Sequence, residues 1–284
     1  MEYFISLGIL VGIYVSLALS LNLISGYCGQ ISLGHAAFFG AGAYCTALMS
    51  KADIPMVVAL ISAGVLAGAL GIIVGFASLR VRHDFLAITT MGVGFLFIGI
   101  VRQQDLLGGE MGIFAIPDTG LSKNTFFAIV CGFAALVAAF SFFVKRSWMG
   151  FAFDAIAEDE DTARMLGINV SRYKLVAFAM GTTIAGVAGG FYALEIKYIG
   201  PDSFGFVESV TILSMVVIGG IGSVPGVIIA AVMLSLLPQW LQIIAEYKLL
   251  IYGALLFAVM RYSPGGLAEM ASRIMTWSGM RTAK

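Results

Sequence analysis

Charge is scarce in this chain. Only 11% of its 284 residues are Asp, Glu, Lys or Arg, and 60% are hydrophobic, whereas an ordinary soluble domain carries about 25% charged residues. That balance excludes a soluble globular protein. Sixteen basic and sixteen acidic residues cancel, so no net field draws the chain to nucleic acid or to a polyanionic substrate. Cysteine is also rare: Cys28, Cys45 and Cys131 sit in apolar stretches without paired or metal-ligand spacing, and read as small buried hydrophobes that leave the redox compartment open. The two histidines, His35 and His83, cannot make a metal site alone, and His83 in Arg80-Val81-Arg82-His83-Asp84 reads as solvated. No nucleotide-binding P-loop, zinc-protease helix, Cys-x-x-Cys or Gly-x-Ser-x-Gly occurs, so nothing points to ATP hydrolysis, metal chemistry or acyl transfer in the chain itself. A gradient-driven carrier marks its route with ionisable groups inside its spans. Here the long apolar runs hold only His35 and, at an edge, Glu208.

What the chain has is length of apolar run. About 20 apolar residues cross the hydrocarbon layer as a helix, whose backbone groups are satisfied without water. Charge-free runs fall at 4–24, 26–50, 55–79, 85–101, 125–144, 175–194, 209–245 and 249–260. The first lacks a basic leader and is longer than a signal-peptide core, so it reads as a retained span. The seventh is too long for one crossing and is interrupted by Gly219-Gly220-Ile221-Gly222-Ser223-Val224-Pro225-Gly226. Two arms joined by a tight turn put eleven of the sixteen basic residues on the side of the 145–174 loop, whereas a single crossing divides them eight and eight. Cytoplasmic loops collect Lys and Arg. The expectation is therefore an all-α polytopic membrane protein of eight or nine transmembrane helices with broken or re-entrant segments. Its N-terminus lies outside and its C-terminus inside, and residues 1–284 form one transmembrane domain.

Thirty-five glycines recur as small-xxx-small pairs: Gly64 with Gly68, Gly71 with Gly75, Gly186 with Gly190, and Gly222 with Gly226. Such pairs let helices pack closely where lipid supplies no hydrophobic drive. Two polar segments stand out. In Gly26 to Tyr44, the residues Gln30, Ser32 and His35 sit among glycines inside an apolar stretch, which describes an irregular segment facing protein or a water-filled cavity. They are candidates for a polar substrate path or, alternatively, for hydrogen bonds between neighbouring helices. Thr89, Thr90 and Ser214 are further candidates of that kind. The second segment, Asp154 to Gly167, reads as a short helix capped by Asp154, with acids in its early turns and Gly167 as its C-terminal stop. Ile156, Ala163 and Leu166 share one face opposite the charges, and Asn169 or Ser171 caps the helix that follows.

Three stretches resemble a known family. Gly29-Gln30-Ile31-Ser32-Leu33-Gly34-His35-Ala36-Ala37-Phe38-Phe39, the loop from Glu158-Asp159-Glu160 through Gly167-Ile168-Asn169-Val170-Ser171-Arg172-Tyr173-Lys174-Leu175, and Gly219-Gly220-Ile221-Gly222-Ser223 are similar to permeases of the branched-chain amino acid ABC importers, of the LivM subunit type. The resemblance spans about residues 20 to 267. It implies a cytoplasmic coupling motif of the form Glu-Ala-Ala-x-x-x-Gly, here Asp161-Thr162-Ala163-Arg164-Met165-Leu166-Gly167, with Asp in place of Glu and Thr in place of the first Ala. Glu158, Glu160, Asp161, Ala163, Arg164, Leu166 and Gly167 are the coupling residues so implied. A C-terminal Arg-Pro-x-Gly-Leu pattern of the family appears as Ser263-Pro264-Gly265-Gly266-Leu267, without the Arg.

The resemblance further implies a non-enzymatic transport subunit in a bacterial inner membrane. Its implied partners are a second, LivH-like permease, two cytoplasmic ATPases and a periplasmic binding protein. ATP and Mg belong to the partner subunits, with no cofactor in this chain. The cargo is a branched-chain or similar small amino acid. The same importer type carrying urea or short amides, and a stand-alone channel or gradient-driven transporter using His35, are the alternatives.

Overall fold

The computed structural model describes residues 2–79, 83–240, 250, 253–254, 256–257, 259, 261, 265–267 and 269. The basic turn at Arg80 to Arg82 lies outside them, and the expected last span at 249–260 and the Ser263 to Leu267 pattern lie partly outside them. Among the described residues there is no strand, only an isolated antiparallel bridge between Ile113 and Ile199.

Among the described residues ten α-helices can be bounded, in order: α1 Glu2–Leu21, continued as a π-helical turn over Asn22–Tyr27; α2 His35–Lys51; α3 Met56–Ser78; α4 His83–Gln103; α5 Lys123–Arg146; α6 Trp148–Glu158; α7 Glu160–Met165; α8 Val170–Ile196; α9 Phe206–Gly219; and α10 Val224–Trp240. Among the described residues six helices are long and apolar enough to cross a membrane: α1 with its π turn, α3, α4, α5, α8, and α9 with the 3-10 turn before it. The helices α2 and α10, at 17 residues each, meet the lower bound of roughly 17 for a span. The expected polytopic all-α architecture is therefore present. The break in the long 209–245 run lies at Gly220 to Ser223, between α9 and α10. Gly220 and Gly222 both hold positive φ there, a conformation that glycine adopts without steric cost.

The helix α8 is the mast of the bundle, packing along α1, α2 and α3, while α1 also packs on α5, α9 and α10. Small residues decide these contacts. A Cβ on Gly42 of α2 would lie 2.0 Å from the Gly186 carbonyl oxygen of α8, and one on Gly189 would lie 1.9 Å from the Phe39 oxygen. Backbones touch here, so dispersion over a long contact holds the pair. On α3, the predicted pairs Gly64/Gly68 and Gly71/Gly75 all face α8.

Contacts define two ends. At one, Ser6 donates to Glu195 at 2.7 Å, Arg102 pairs with Asp202 at 2.7 Å, and Lys197 pairs with Asp118. The Ile113–Ile199 bridge ties the loop after α4 to the α8–α9 connection there. At the other, Tyr27 meets Ser141 Oγ at 2.9 Å, and Lys145 reaches the Gly222 carbonyl oxygen. This second end carries α6 and α7.

Candidate functional site

Residues 28–34 form no regular helix between the π turn and α2. Irregular backbone at membrane depth survives only where protein satisfies it, because an unpaired peptide group in hydrocarbon costs several kcal/mol. Several of the partners here can be named. Gln30 N–H donates to the Ile24 oxygen at 3.2 Å, Ser25 Oγ donates to the Gln30 oxygen at 2.8 Å, and Leu33 N–H donates to Thr90 Oγ1 at 3.0 Å. The start of α2 is held likewise: Ala36 N–H donates to Ser209 Oγ of α9 at 3.1 Å. Gly34 lies so close to α4 that a Cβ would sit 1.9 Å from the Thr90 oxygen.

The side chains expected on a polar path divide accordingly. Gln30, Ser32, His35, Thr90 and Ser214 are buried, and Thr89 is partly exposed. Gln30 Nε2 donates to the Lys174 carbonyl oxygen of α8 at 3.2 Å. His35 Nε2 lies 2.7 Å from Ser20 Oγ, which itself donates to the Leu17 oxygen at 2.7 Å. The imidazole tautomer sets which of His35 Nε2 and Ser20 Oγ donates across this contact. His35 Nδ1 and Ser32 Oγ have no hydrogen-bond partner among the described residues. Thr90 gathers the segment onto α4, whereas Thr89 donates only to Phe85 and Ser214 only to Val210, each on its own helix. The structure thus brings Gln30, Ser32, His35 and Thr90 together and leaves Thr89 and Ser214 apart. Ser20, Ser209 and Lys174 belong to the same cluster and had no signal in the sequence beyond being polar residues in apolar company.

At the end of the bundle, the expected single helix from Asp154 to Gly167 is two helices. The chain turns sharply after α5, with Gly150 lying against the Lys145 and Val144 carbonyl oxygens. Helix α6 then buries Ala152, Phe153 and Ile156 and exposes Trp148 and Phe151. Asp154 lies inside α6 and caps nothing; burial raises its pKa above the ordinary carboxylate value, against the pull of Lys145. The cap of α7 is Asp159, which accepts the Thr162 N–H at 2.6 Å. That hydrogen bond holds the Asp159 carboxyl below the usual aspartate value.

Helix α7 ends as expected at Gly167, with φ +82°. Gly167 N–H donates to the Arg164 oxygen at 3.0 Å and Ile168 N–H to the Ala163 oxygen at 3.1 Å, a Schellman closure. Asn169, of the two expected alternatives, caps α8 through Arg172 N–H at 3.1 Å. Of the apolar face expected for this segment, Ile156 and Ala163 are buried, but Leu166 is 72% exposed and Met165 87%. The tight closure turns Leu166 outward. Arg164 pairs with Asp161 at 2.6 Å and Glu160 at 3.1 Å, and Glu160 also pairs with Lys174. Glu158, Asp161, Arg164 and Gly167 are exposed, Glu160 is half-buried, and no atom lies within 4 Å of a Cβ added at Gly167. The result is a short, doubly capped helix with two large apolar side chains facing outward. Among the described residues no group of three His, Cys, Asp or Glu side chains could hold a metal.

Residues 3–260 match the family model described as the permease component of the branched-chain amino acid transport system. The chain is 34% identical over 289 residues to the high-affinity branched-chain amino acid transport system permease protein LivM of Salmonella typhimurium, covering 91% of this chain and 68% of that one. It is 28% identical over 285 residues to the corresponding permease LivH of Escherichia coli, covering 89% and 90%. A probable LivM permease of Methanocaldococcus jannaschii is 26% identical over 332 residues, covering 94% and 96%. No solved structure matches the chain.

Proposed function

We propose that this chain, which belongs to the permease components of branched-chain amino acid transport systems, is the transmembrane subunit of an ATP-driven importer and passes branched-chain or similar small amino acids across the bacterial inner membrane. The observation that carries the mechanism is α7. It is a short, capped helix with Met165 and Leu166 outward, at the end opposite the Arg102–Asp202 and Lys197–Asp118 pairs. Exposed apolar side chains beside satisfied charges are what a docking helix offers to a groove on a partner. That partner is a cytoplasmic ATPase, present twice, with ATP and Mg bound there. A LivH-like permease completes the membrane pair, and a periplasmic binding protein delivers the amino acid.

In this reading residues 1–284 are one transmembrane domain with the N-terminus outside, and the 145–174 loop faces the cytoplasm. Glu158, Glu160, Asp161, Ala163, Arg164, Leu166 and Gly167 form the coupling element. Gln30, Ser32, His35, Thr89, Thr90 and Ser214 are the candidate path. Affinity resides in the binding protein, so the permease needs no strongly polar site. ATP-driven closure of the ATPases displaces α7 and changes which end of the cavity is open.

The deciding experiment is purification of the co-expressed assembly in mild detergent. The ATPases should copurify and hydrolyse ATP faster when the liganded binding protein is added. Gly167→Val places a β-branched residue at φ +82°, strain of roughly 1–2 kcal/mol at the αL position, and should detach or uncouple the ATPases while the permease still inserts. A chain that transports without ATPases would overturn the importer reading, and undiminished stimulation in Gly167→Val would overturn the coupling assignment. For the path, Ser32→Ala and His35→Ala should each change uptake without changing assembly. Wild-type uptake by both would return these side chains to packing alone.

A further inference from the structure

Lys174 joins the two regions described above. It lies in the first turns of α8, only 8% exposed, and its ammonium is paired with Glu160 of α7. Its own carbonyl oxygen accepts Gln30 Nε2 at 3.2 Å. Gln30, 1% exposed, is fastened in turn to the π turn of α1 through Ser25 and Ile24. One residue therefore holds the outward-facing short helix by its side chain and the irregular segment by its backbone.

Neutralising a buried ammonium explains only half of this. A carboxylate on any neighbour would serve that purpose, yet the partner belongs to the six-residue α7, which otherwise buries only Ala163. Glu160 is also gripped from the exposed side by Arg164. The carboxylate thus sits between a cation of its own helix and a cation of α8, and cannot move with α7 without loading Lys174. Buried ion pairs resist separation strongly, because the charge left behind is uncompensated.

We propose that Lys174 is a positioning residue for transport, the link through which displacement of α7 is delivered to Gln30 and the 28–34 segment. The proposal rests on the reading of α7 as the ATPase-docking helix. When a partner moves α7, the Glu160–Lys174 pair draws on the base of α8, and the Gln30 amide transmits the shift to the segment holding Ser32 and His35.

The test uses the complete reconstituted assembly, with leucine and the binding protein as probe. Lys174→Met keeps the length of the side chain and removes its charge. It should leave basal ATP hydrolysis unchanged but lower leucine uptake per ATP at least about fivefold, the scale of a typical coupling energy. Lys174→Arg should keep coupling near normal. Gln30→Leu should reproduce the loss, and the double variant Lys174→Met/Gln30→Leu should lose no more than the worse single variant, as expected for one path. Wild-type coupling in Lys174→Met, or losses that multiply in the double variant, would overturn the proposal. Should Lys174→Met fail to assemble, Lys174→Gln, which removes the charge and keeps a polar group facing Glu160, decides by the same uptake-per-ATP ratio. Failure of the underlying reading shows separately, as ATPases still bound and stimulated in Gly167→Val.

Discussion

The 28–34 segment and the α6–α7 loop are both irregular pieces of chain between long helices, and they satisfy their backbones in opposite ways. The loop is self-sufficient: Asp159 caps α7 three residues ahead, Gly167 and Ile168 close it, and Asn169 caps α8. The 28–34 segment also borrows: its Leu33 N–H depends on Thr90, 57 residues away, and the Gln30 side chain ties it to the Lys174 carbonyl oxygen, 144 residues away. Water explains the difference. In the loop an unmade bond is replaced by solvent, so short-range caps suffice and each is worth little. Where protein replaces solvent an unmade bond has no ready substitute, so part of the 28–34 segment is held from other helices. An individual interhelical hydrogen bond adds only about 0.6 kcal/mol, but its absence exposes a group that hydrocarbon cannot accept.

This contrast can be broken by experiment. The largest effect belongs to Thr90→Val, which keeps the shape and leaves the part-buried Leu33 N–H without its acceptor. It should cost about 1–3 kcal/mol, visible as a lower unfolding temperature in detergent. A loss no larger than that of a loop cap would mean that the segment relaxes to find water. Next comes Asn169→Ala, which removes a cap exposed to solvent and should cost about 1 kcal/mol of local helix stability. Faster amide exchange confined to the first turn of α8 is the expected signature, and exchange spreading through the bundle would contradict the claim of self-sufficiency.

The smallest effect is a pH response at Asp159. Its pKa is depressed in the folded chain, so the cap is fully present above the ordinary aspartate value of about 4 and is lost as pH falls through the lower folded value. Protection of the Thr162 amide, measured against Asp159→Asn, should therefore be constant above about pH 4 and decline only below it. A decline already visible at pH 5–6 would show that the carboxylate is not held by the helix.

The same contrast governs what could be read from the sequence. The stop at Gly167 was legible, and the cap of α8 was narrowed to Asn169 or Ser171, because such partners lie within a few residues. So was the α9–α10 turn, where glycines at 219, 220 and 222 interrupt an otherwise continuous apolar run. The starting cap of α7 was misplaced at Asp154 because acids at 154 and 158–161 all suit a helix N-terminus. What selects Asp159 is tertiary: Phe153 and Ile156 are buried at the foot of the bundle, which keeps Asp154 inside α6. The irregularity of residues 28–34 was foreseeable from Gln30, Ser32 and His35 among glycines. Their partners Ser20, Thr90, Lys174 and Ser209 were not, since hydropathy says how deep a residue lies and not which helix stands beside it. Likewise the small-residue pairs on α3 announced close packing without saying that α8 was the neighbour.

Asn22 accepts the Gly222 N–H at 2.9 Å through its side chain, across 200 residues of sequence, and Lys145 of α5 holds the Gly222 oxygen. In biosynthesis α1 leaves the ribosome long before its partner exists. From then until the α9–α10 hairpin arrives, a carboxamide near the foot of the first span waits without the turn that completes it. The tie between the first span and the α9–α10 turn therefore forms only after that hairpin has been made, and it joins parts of the chain that enter the membrane far apart in time.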